Sequence, residues 1–145
     1  MKKMLLTIFF LLLAFPLYCV AQSGPGTEVG PIRSSAAYAE LLLRKTEIQA
    51  DLESLTADYT EQNPKILDLR FELAALDKMQ ERMFAIKPSE TGKLTLALGK
   101  LIVRKAALDT ELAHLSRSYN KDHPEVKRMT KKVEIYDAAI REVLK

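Results

Sequence analysis

An apolar stripe that recurs in steps of three and four residues is the clearest pattern along the chain. The stripe of the first half is Tyr38, Leu41, Lys45, Ile48, Leu52, Leu55 and Tyr59, and that of the second half is Leu98, Leu101, Lys105, Leu108, Leu112, Leu115 and Tyr119. This spacing resumes after a short break in each half, and it places side chains on the side of a helix that packs against another helix. The pattern therefore predicts four helices, over residues 35–60, 64–85, 92–120 and 124–144.

The second half of the chain repeats the first at an offset of 60 residues. Residues 41–85 align with residues 101–145 without a gap and share eight identities in 45 positions. Conservative pairs also coincide, such as Ile48 with Leu108 and Ile66 with Val126. We interpret the two halves as copies of one structural unit.

Each copy has one proline between its two helical stretches, within YTEQNPKI (59–66) and YNKDHPEV (119–126). Proline inside a helix costs about 3 kcal/mol because a hydrogen bond is lost and the ring clashes with the preceding turn. The first helical position accepts it well. Pro64 and Pro124 are therefore predicted to begin helices, with Asn63 and His123 just outside them and Asn63 as an N-cap.

The four polar residues between tyrosine and proline fit a short loop that reverses the chain. Each copy is then an antiparallel helical hairpin, and the quoted stretch is its bend. We expect the rings of Tyr59 and Tyr119 to pack against Ile66 and Val126, where the outgoing stripe begins.

The predicted fold is all-α, with two tandem antiparallel hairpins over residues 35–85 and 94–145. A linker at 86–93 joins them, and Ser89 or Thr91 is expected to cap the third helix. A second set of apolar residues widens the stripe: Leu42, Ala74, Ile102 and Ile135. A wider stripe indicates that the hairpins cover each other, or that two chains do. A coiled coil and a four-helix bundle both fit the pattern.

The N-terminus has the layout of a secretory signal peptide over residues 1–21. Lys2 and Lys3 precede an apolar run, and small residues lie before the expected cleavage point at Gln22. Residues 22–34 are rich in Gly, Pro and Ser and are interpreted as a flexible leader. The protein is therefore predicted to be periplasmic or secreted. The alternative is an uncleaved inner-membrane anchor formed by residues 4–21, which would be the protein's sole membrane contact.

The bends, written out as LTADYTEQNPKI and LSRSYNKDHPEV, resemble the periplasmic coiled-coil hairpin of bacterial polysaccharide co-polymerases, the chain-length determinant and exopolysaccharide export proteins. In that family a tyrosine and a His-Pro pair mark the turn of a long helical hairpin. His123-Pro124 matches that pair, whereas Asn63-Pro64 differs at one position. The resemblance covers about residues 41–83 and 101–143 and implies a hairpin in the cell envelope. The family's second membrane span, α/β domain and kinase region have no counterpart in this sequence, so a length-control activity is not implied.

The sequence offers no constellation for catalysis, cofactor binding or metal binding. Its two histidines, His114 and His123, lack metal-ligand spacing, and Cys19 would leave with the signal peptide. The segment TGK at 91–93 lacks the remaining residues of a phosphate loop. Carboxylates alternate with Lys and Arg at helical spacing, as on a solvated face. The carboxylates singled out are Glu40, Glu47, Asp51, Glu53 and Glu111. We therefore expect no enzyme.

Bulk charge argues against a nucleic-acid partner. The chain has 22 basic and 19 acidic residues, and loss of Lys2 and Lys3 would lower the net charge from +3 to +1. The polar residues of interest are Lys45 and Lys105, which occupy the third stripe position of each copy. They either specify a partner or anion contact, or extend from the edge of the stripe to water.

Two function classes follow. The first is an exported structural or interaction protein that binds another protein or itself. The second is a small ligand-binding four-helix bundle of the periplasm. An open apolar face would favour the first, and an apolar pocket lined by Tyr and Lys would favour the second.

Overall fold

The computed structural model describes residues 30–145, so the predicted signal peptide and leader residues 22–29 lie outside the described residues. The helices are α1 (Gly30–Arg33), α2 (Ala36–Asp58), α3 (Pro64–Phe84), a 3-10 segment (Pro88–Lys93), α4 (Leu96–Ser118) and α5 (Pro124–Leu144). Every regular element of the described chain is helical, which confirms the all-α prediction. None of the helices between residues 30 and 145 combines the length and hydrophobicity needed to cross a membrane.

The two prolines begin helices as predicted. Pro64 and Pro124 are the first residues of α3 and α5. The backbone N–H of Lys65 donates to Asn63 Oδ1 at 2.9 Å, and that of Glu125 donates to His123 Nδ1 at 3.3 Å. These side chains satisfy N–H groups that would otherwise lack a partner at the helix start. We call α2 with α3 hairpin 1, and α4 with α5 hairpin 2.

The linker differs from the prediction. Neither Ser89 nor Thr91 caps α4; its N-cap is Thr95, whose hydroxyl accepts from the N–H of Leu98 at 3.3 Å, and α4 begins at residue 96 instead of 92. Residues before it form the 3-10 segment. Leu94, at the end of that segment, is buried, and its carbonyl accepts from the N–H of Ala37 at 3.2 Å. This attachment to α2 fixes where α4 can start.

The leader also differs from the prediction near its end. Gly30–Arg33 is helical, and the side chain of Ile32 is buried in the core at the end of the molecule opposite the bends. Burial of one isoleucine side chain favours the folded state by roughly 1.5–3 kcal/mol. The last part of the predicted flexible leader is therefore an ordered part of the fold.

The helix α4 lies at the centre of the fold. It packs extensively on α2, α3 and α5, and α2 packs on α3, whereas α5 makes no more than isolated contacts with α2 and α3. The four helices therefore form a triangle of α2, α3 and α4 with α5 on its outer side, not a closed ring. The stripe is largely confirmed as core, because Leu41, Ile48, Leu98 and Leu108 are buried.

A close approach between α2 and α4 fixes the relative position of the two hairpins. A Cβ atom placed on Gly99 would lie 2.9 Å from Ala37 Cα and 2.9 Å from Glu40 Cβ. Only glycine allows two helix backbones to approach this closely. Because Gly99 and Ala37 both lie near the start of their helices, α2 and α4 run in the same direction. Both bends therefore lie at the same end of the molecule.

Candidate functional site

Two basic residues of α2 hold hairpin 1 together. Arg44 forms a bidentate pair with Glu72 of α3, with Nε to Oε1 at 2.7 Å and Nη2 to Oε2 at 3.0 Å. The hydrogen bonds that Arg44 donates to Glu72 raise the pKa of the guanidinium above its usual range. Lys45 Nζ lies 2.5 Å from Asp77 Oδ1 and donates to Gln80 Oε1 at 2.7 Å. Two-point pairing of this kind attracts the two helices to each other and also fixes their axial register.

Hairpin 2 has no equivalent of these ion pairs between its two helices. Lys105, the equivalent of Lys45, is also half-buried, but it donates to Asp109 of its own helix at 2.8 Å. Asp137, the equivalent of Asp77, pairs with Arg141 of α5. The two lysines thus occupy equivalent places in their helices but have different kinds of partner. Sequence alone did not identify the pair between Arg44 and Glu72, because the equivalent of Glu72 is a lysine.

A first cleft, of about 520 Å³, lies between α3 and α4 and reaches Met129 of α5. His114 Nδ1 lies 3.0 Å from Asp68 Oδ2, and Arg117 donates to the other oxygen of Asp68. His114 is exposed. Glu72, the buried carboxylate of this cleft, is held by Arg44 of α2. Asp68 and Glu72 are therefore engaged in ion pairs between helices, whereas Glu111 lies 3.9 Å from Arg104 of its own helix.

A second cleft, of about 470 Å³, lies between α3 and α4 and reaches Asp137 of α5. Its walls are mainly apolar, with Phe71, Met79 and Ile102 among them, and its lysines are Lys78 and Lys105. No tyrosine lines either cleft. These clefts are open because α3 and α5 flank α4 without packing on each other.

The bend residues have structural roles in the described chain. The rings of Tyr119 and His123 stack with centroids 4.1 Å apart. Tyr59 and Tyr119 remain 55% and 46% exposed, while Ile66 and Val126 are buried. Both tyrosines are the C-cap residues of their helices and have extended backbone.

The described residues contain neither a candidate metal group nor an unpaired buried polar side chain. Between residues 30 and 145, no three His, Cys, Asp or Glu side chains form a group that could hold a metal ion. Every buried side-chain nitrogen or oxygen in this part of the chain has a hydrogen-bond partner. No unsatisfied polar group in this region therefore points to a bound molecule.

Large apolar side chains on the outer faces of α2 and α5 are the remaining candidate. Leu43 of α2 and Ile135 of α5 are each 58% exposed, and Leu42 is 46% exposed. Of the wider stripe, Ile102 alone is buried, while Leu42, Ala74 and Ile135 are exposed. This second set of apolar residues therefore lies on the protein surface in three of the four long helices.

In comparisons with protein-family models, curated proteins and solved structures, nothing matches this chain.

Proposed function

We propose that this protein is an exported, non-catalytic helical-hairpin protein of the cell envelope that acts by binding another protein or itself. The observation that supports this proposal is the pair of neighbouring exposed leucines on α2, Leu42 and Leu43, together with the exposed Ile135 on α5. Scattered single apolar residues are normal on protein surfaces, but adjacent ones on a helix face indicate an interaction site. The resemblance of the bends to polysaccharide co-polymerases directs the search for a partner to polysaccharide export.

Export is proposed from the signal-peptide layout of residues 1–21 and the expected cleavage before Gln22. Intact-mass measurement of the protein recovered from cell fractions tests it. A mass that begins at Gln22 in the periplasmic or secreted fraction supports export with cleavage. A mass that retains residues 1–21 in the membrane fraction supports the anchored alternative.

Site-specific photo-crosslinking in cells of the source organism tests the interaction proposal. A photoreactive residue at Leu43 or Ile135 should form protein adducts, whereas one at Leu67 should not. Leu67 is a matched control because it is also a large exposed apolar residue, at 43% exposure, but lies on α3. Equal adduct formation at all three positions, or none at any, would contradict the proposal.

A second proposal is a small ligand-binding protein of the periplasm. The two clefts favour it, since their volumes fall in the range of small-molecule sites. A thermal-shift screen with small sugars and anions tests it. Loss of the stabilisation in Phe71→Ala would assign binding to the second cleft, and its loss in His114→Ala would assign binding to the first. A screen in which no compound stabilises the protein would count against the ligand-binding proposal.

A further inference from the structure

The repeat makes α2 and α4 equivalent, yet one face of them differs in burial. On α4, Gly99 and Ile102 are buried, and Gly99 lies against α2 of hairpin 1. Their equivalents on α2 are Ala39 and Leu42, which are exposed. Ile102 is 1% exposed and Leu42 is 46% exposed. Therefore α2 presents to solvent the same face with which α4 docks on hairpin 1.

The complementary surface is also open, at the other end of the repeat. The groove of hairpin 1 that receives α4 contains the buried residues Ala37 and Leu69. In hairpin 2 the equivalents are Ala97, which is exposed, and Met129, which is half-buried. Ala75 of α3 lines the second cleft beside Ile102 of α4, and its equivalent on α5, Ile135, is exposed. The groove between α4 and α5 is therefore the unfilled counterpart of the groove that α4 fills.

The charges of α3 and α5 are inverted at equivalent positions. The inverted pairs are Glu61 and Lys121, Lys65 and Glu125, Asp68 and Arg128, Glu72 and Lys132, Glu81 and Arg141, and Arg82 and Glu142. Along the first cleft, hairpin 1 contributes Lys65 and the acids Asp68 and Glu72, and α4 contributes Glu111 and His114; Arg117 of α4 also pairs with Asp68. The equivalents of the three hairpin 1 residues are Glu125, Arg128 and Lys132, so this wall of hairpin 2 has a net positive charge where that of hairpin 1 has a net negative one. A helix that docks there should therefore be acidic.

The exposed face of α2 has that charge. Its residues Glu47 and Asp51 are equivalent to Ala107 and Glu111, which line the first cleft opposite Asp68 and Glu72. Both acids are exposed. Placed in the groove of hairpin 2, they would face the basic wall that contains Lys132. Opposite charges on the two surfaces favour this pairing and disfavour the pairing of two α2 faces with each other.

We propose that the α2 face of one copy docks in the α4–α5 groove of a second copy, in the orientation in which α4 docks on hairpin 1 within each chain. Because Ala39 replaces Gly99, the two helices lie further apart at this point than α2 and α4 do. This inference rests on the proposed interaction function and names the partner. The two surfaces are different, so the association is head-to-tail and yields either a ring or an open filament. Each added copy continues the stack of hairpins.

A second copy fits better than an unrelated partner because the chain already contains the template for the interface. Stacked repeats usually need at least three units for a stable core, and their terminal units carry polar outer faces. Residues 30–145 form two such units, whose outer faces carry Leu42, Leu43 and Ile135. Association would join the units into a longer stack and cover these residues.

Sedimentation analysis of the purified protein over a concentration series tests the inference. The wild-type protein should form oligomers whose size rises with concentration or stops at a ring. Leu42→Glu blocks the α2 face, and Ile135→Glu blocks the groove; each should weaken association roughly 10- to 100-fold, since a carboxylate would be buried. Both sites are exposed, so each variant should keep the helicity and melting temperature of the wild type.

Mixing the two variants tests the head-to-tail geometry. Each variant retains one intact surface, so an equimolar mixture should form dimers and nothing larger. Leu67→Glu is the matched control and should associate as the wild type does. A wild-type protein that is monomeric at every concentration, single variants that still associate, a mixture that stays monomeric, or a control as weak as Leu42→Glu would each overturn the inference.

A charge exchange provides an independent readout. Lys132→Glu or Asp51→Lys alone should weaken association about 2- to 10-fold, because an attraction between surface charges becomes a repulsion. The chain that carries both changes should regain wild-type association. Failure of the double variant to recover would overturn the assigned pairing of α2 with the groove. If the wild type is monomeric while Leu43 and Ile135 still crosslink to a different protein in cells, self-association fails and the proposed function stands.

Discussion

Replacement of Gly99 by alanine is expected to destabilise the fold, although alanine is the better helix former. A methyl group there would lie 2.9 Å from Ala37 Cα and 3.1 Å from Ala37 O. Ordinary contacts between carbon atoms are about 3.5–4.0 Å, so α2 and α4 would have to separate by roughly 0.6–1 Å at this point. Ala37 is fully buried and the contact is with backbone, so no side-chain rotation can relieve it.

The net effect follows from two opposing contributions. Alanine in a helix is favoured over glycine by roughly 0.5–1 kcal/mol, and overpacking a closely packed contact costs roughly 1–3 kcal/mol. We expect Gly99→Ala to lower the free energy of unfolding by about 1–2 kcal/mol. For a domain of about this size, the melting temperature should fall by roughly 3–8 °C. Urea unfolding followed by circular dichroism measures the first quantity, and a thermal melt measures the second.

Two control variants isolate the close approach. Gly92→Ala places a methyl group where nothing lies within 4 Å and should be neutral or slightly stabilising. Ala39 is the exposed equivalent of Gly99 in α2, so Ala39→Gly should cost only the helix preference, roughly 0.5–1 kcal/mol. The reasoning is refuted if Gly99→Ala stabilises the protein, as it would on an exposed helix.

Three further predictions use the repeat as an internal control or the pH as a variable. Ile102→Ala should lower the free energy of unfolding by roughly 2–5 kcal/mol because Ile102 is buried, while Leu42→Ala at the equivalent exposed site should cost clearly less, as urea unfolding at low protein concentration would show. Glu72→Ala should cost about 1–3 kcal/mol because it leaves a half-buried guanidinium without its bidentate partner and with only Glu47 of its own helix. Lys132→Ala, at the equivalent exposed site, should stay within about 0.5 kcal/mol; equal losses in denaturation would contradict this. Lys93 donates a hydrogen bond to Glu90 and thereby lowers the pKa of its carboxyl group. The small contribution to folding stability that results is present above the usual pKa of glutamate and is lost as the pH falls. Glu90→Gln should therefore reduce the drop in melting temperature between pH 7 and pH 3, and an unchanged drop would count against this contribution.

The sequence by itself determined the helices and their breaks. The three- and four-residue steps fixed which residues of each helix face a neighbour, and Pro64 and Pro124 fixed where α3 and α5 begin, because proline is excluded from a helix interior and accepted at its start. Local sequence does not fix the helix ends that lack such a residue. The start of α4 was misplaced because it depends on the attachment of Leu94 to α2, a contact between residues far apart in the chain.

The tertiary structure decided which of two equivalent faces is covered. Leu42 and Ile102 occupy the same position in the repeat and have nearly the same side chain, so no local pattern can distinguish them. Ile102 is buried because α4 lies between the two hairpins, whereas Leu42 is exposed because α2 lies at the end of the stack. Periodicity specifies a face relative to its own helix axis; the neighbour that covers that face is set by the order in which the helices pack.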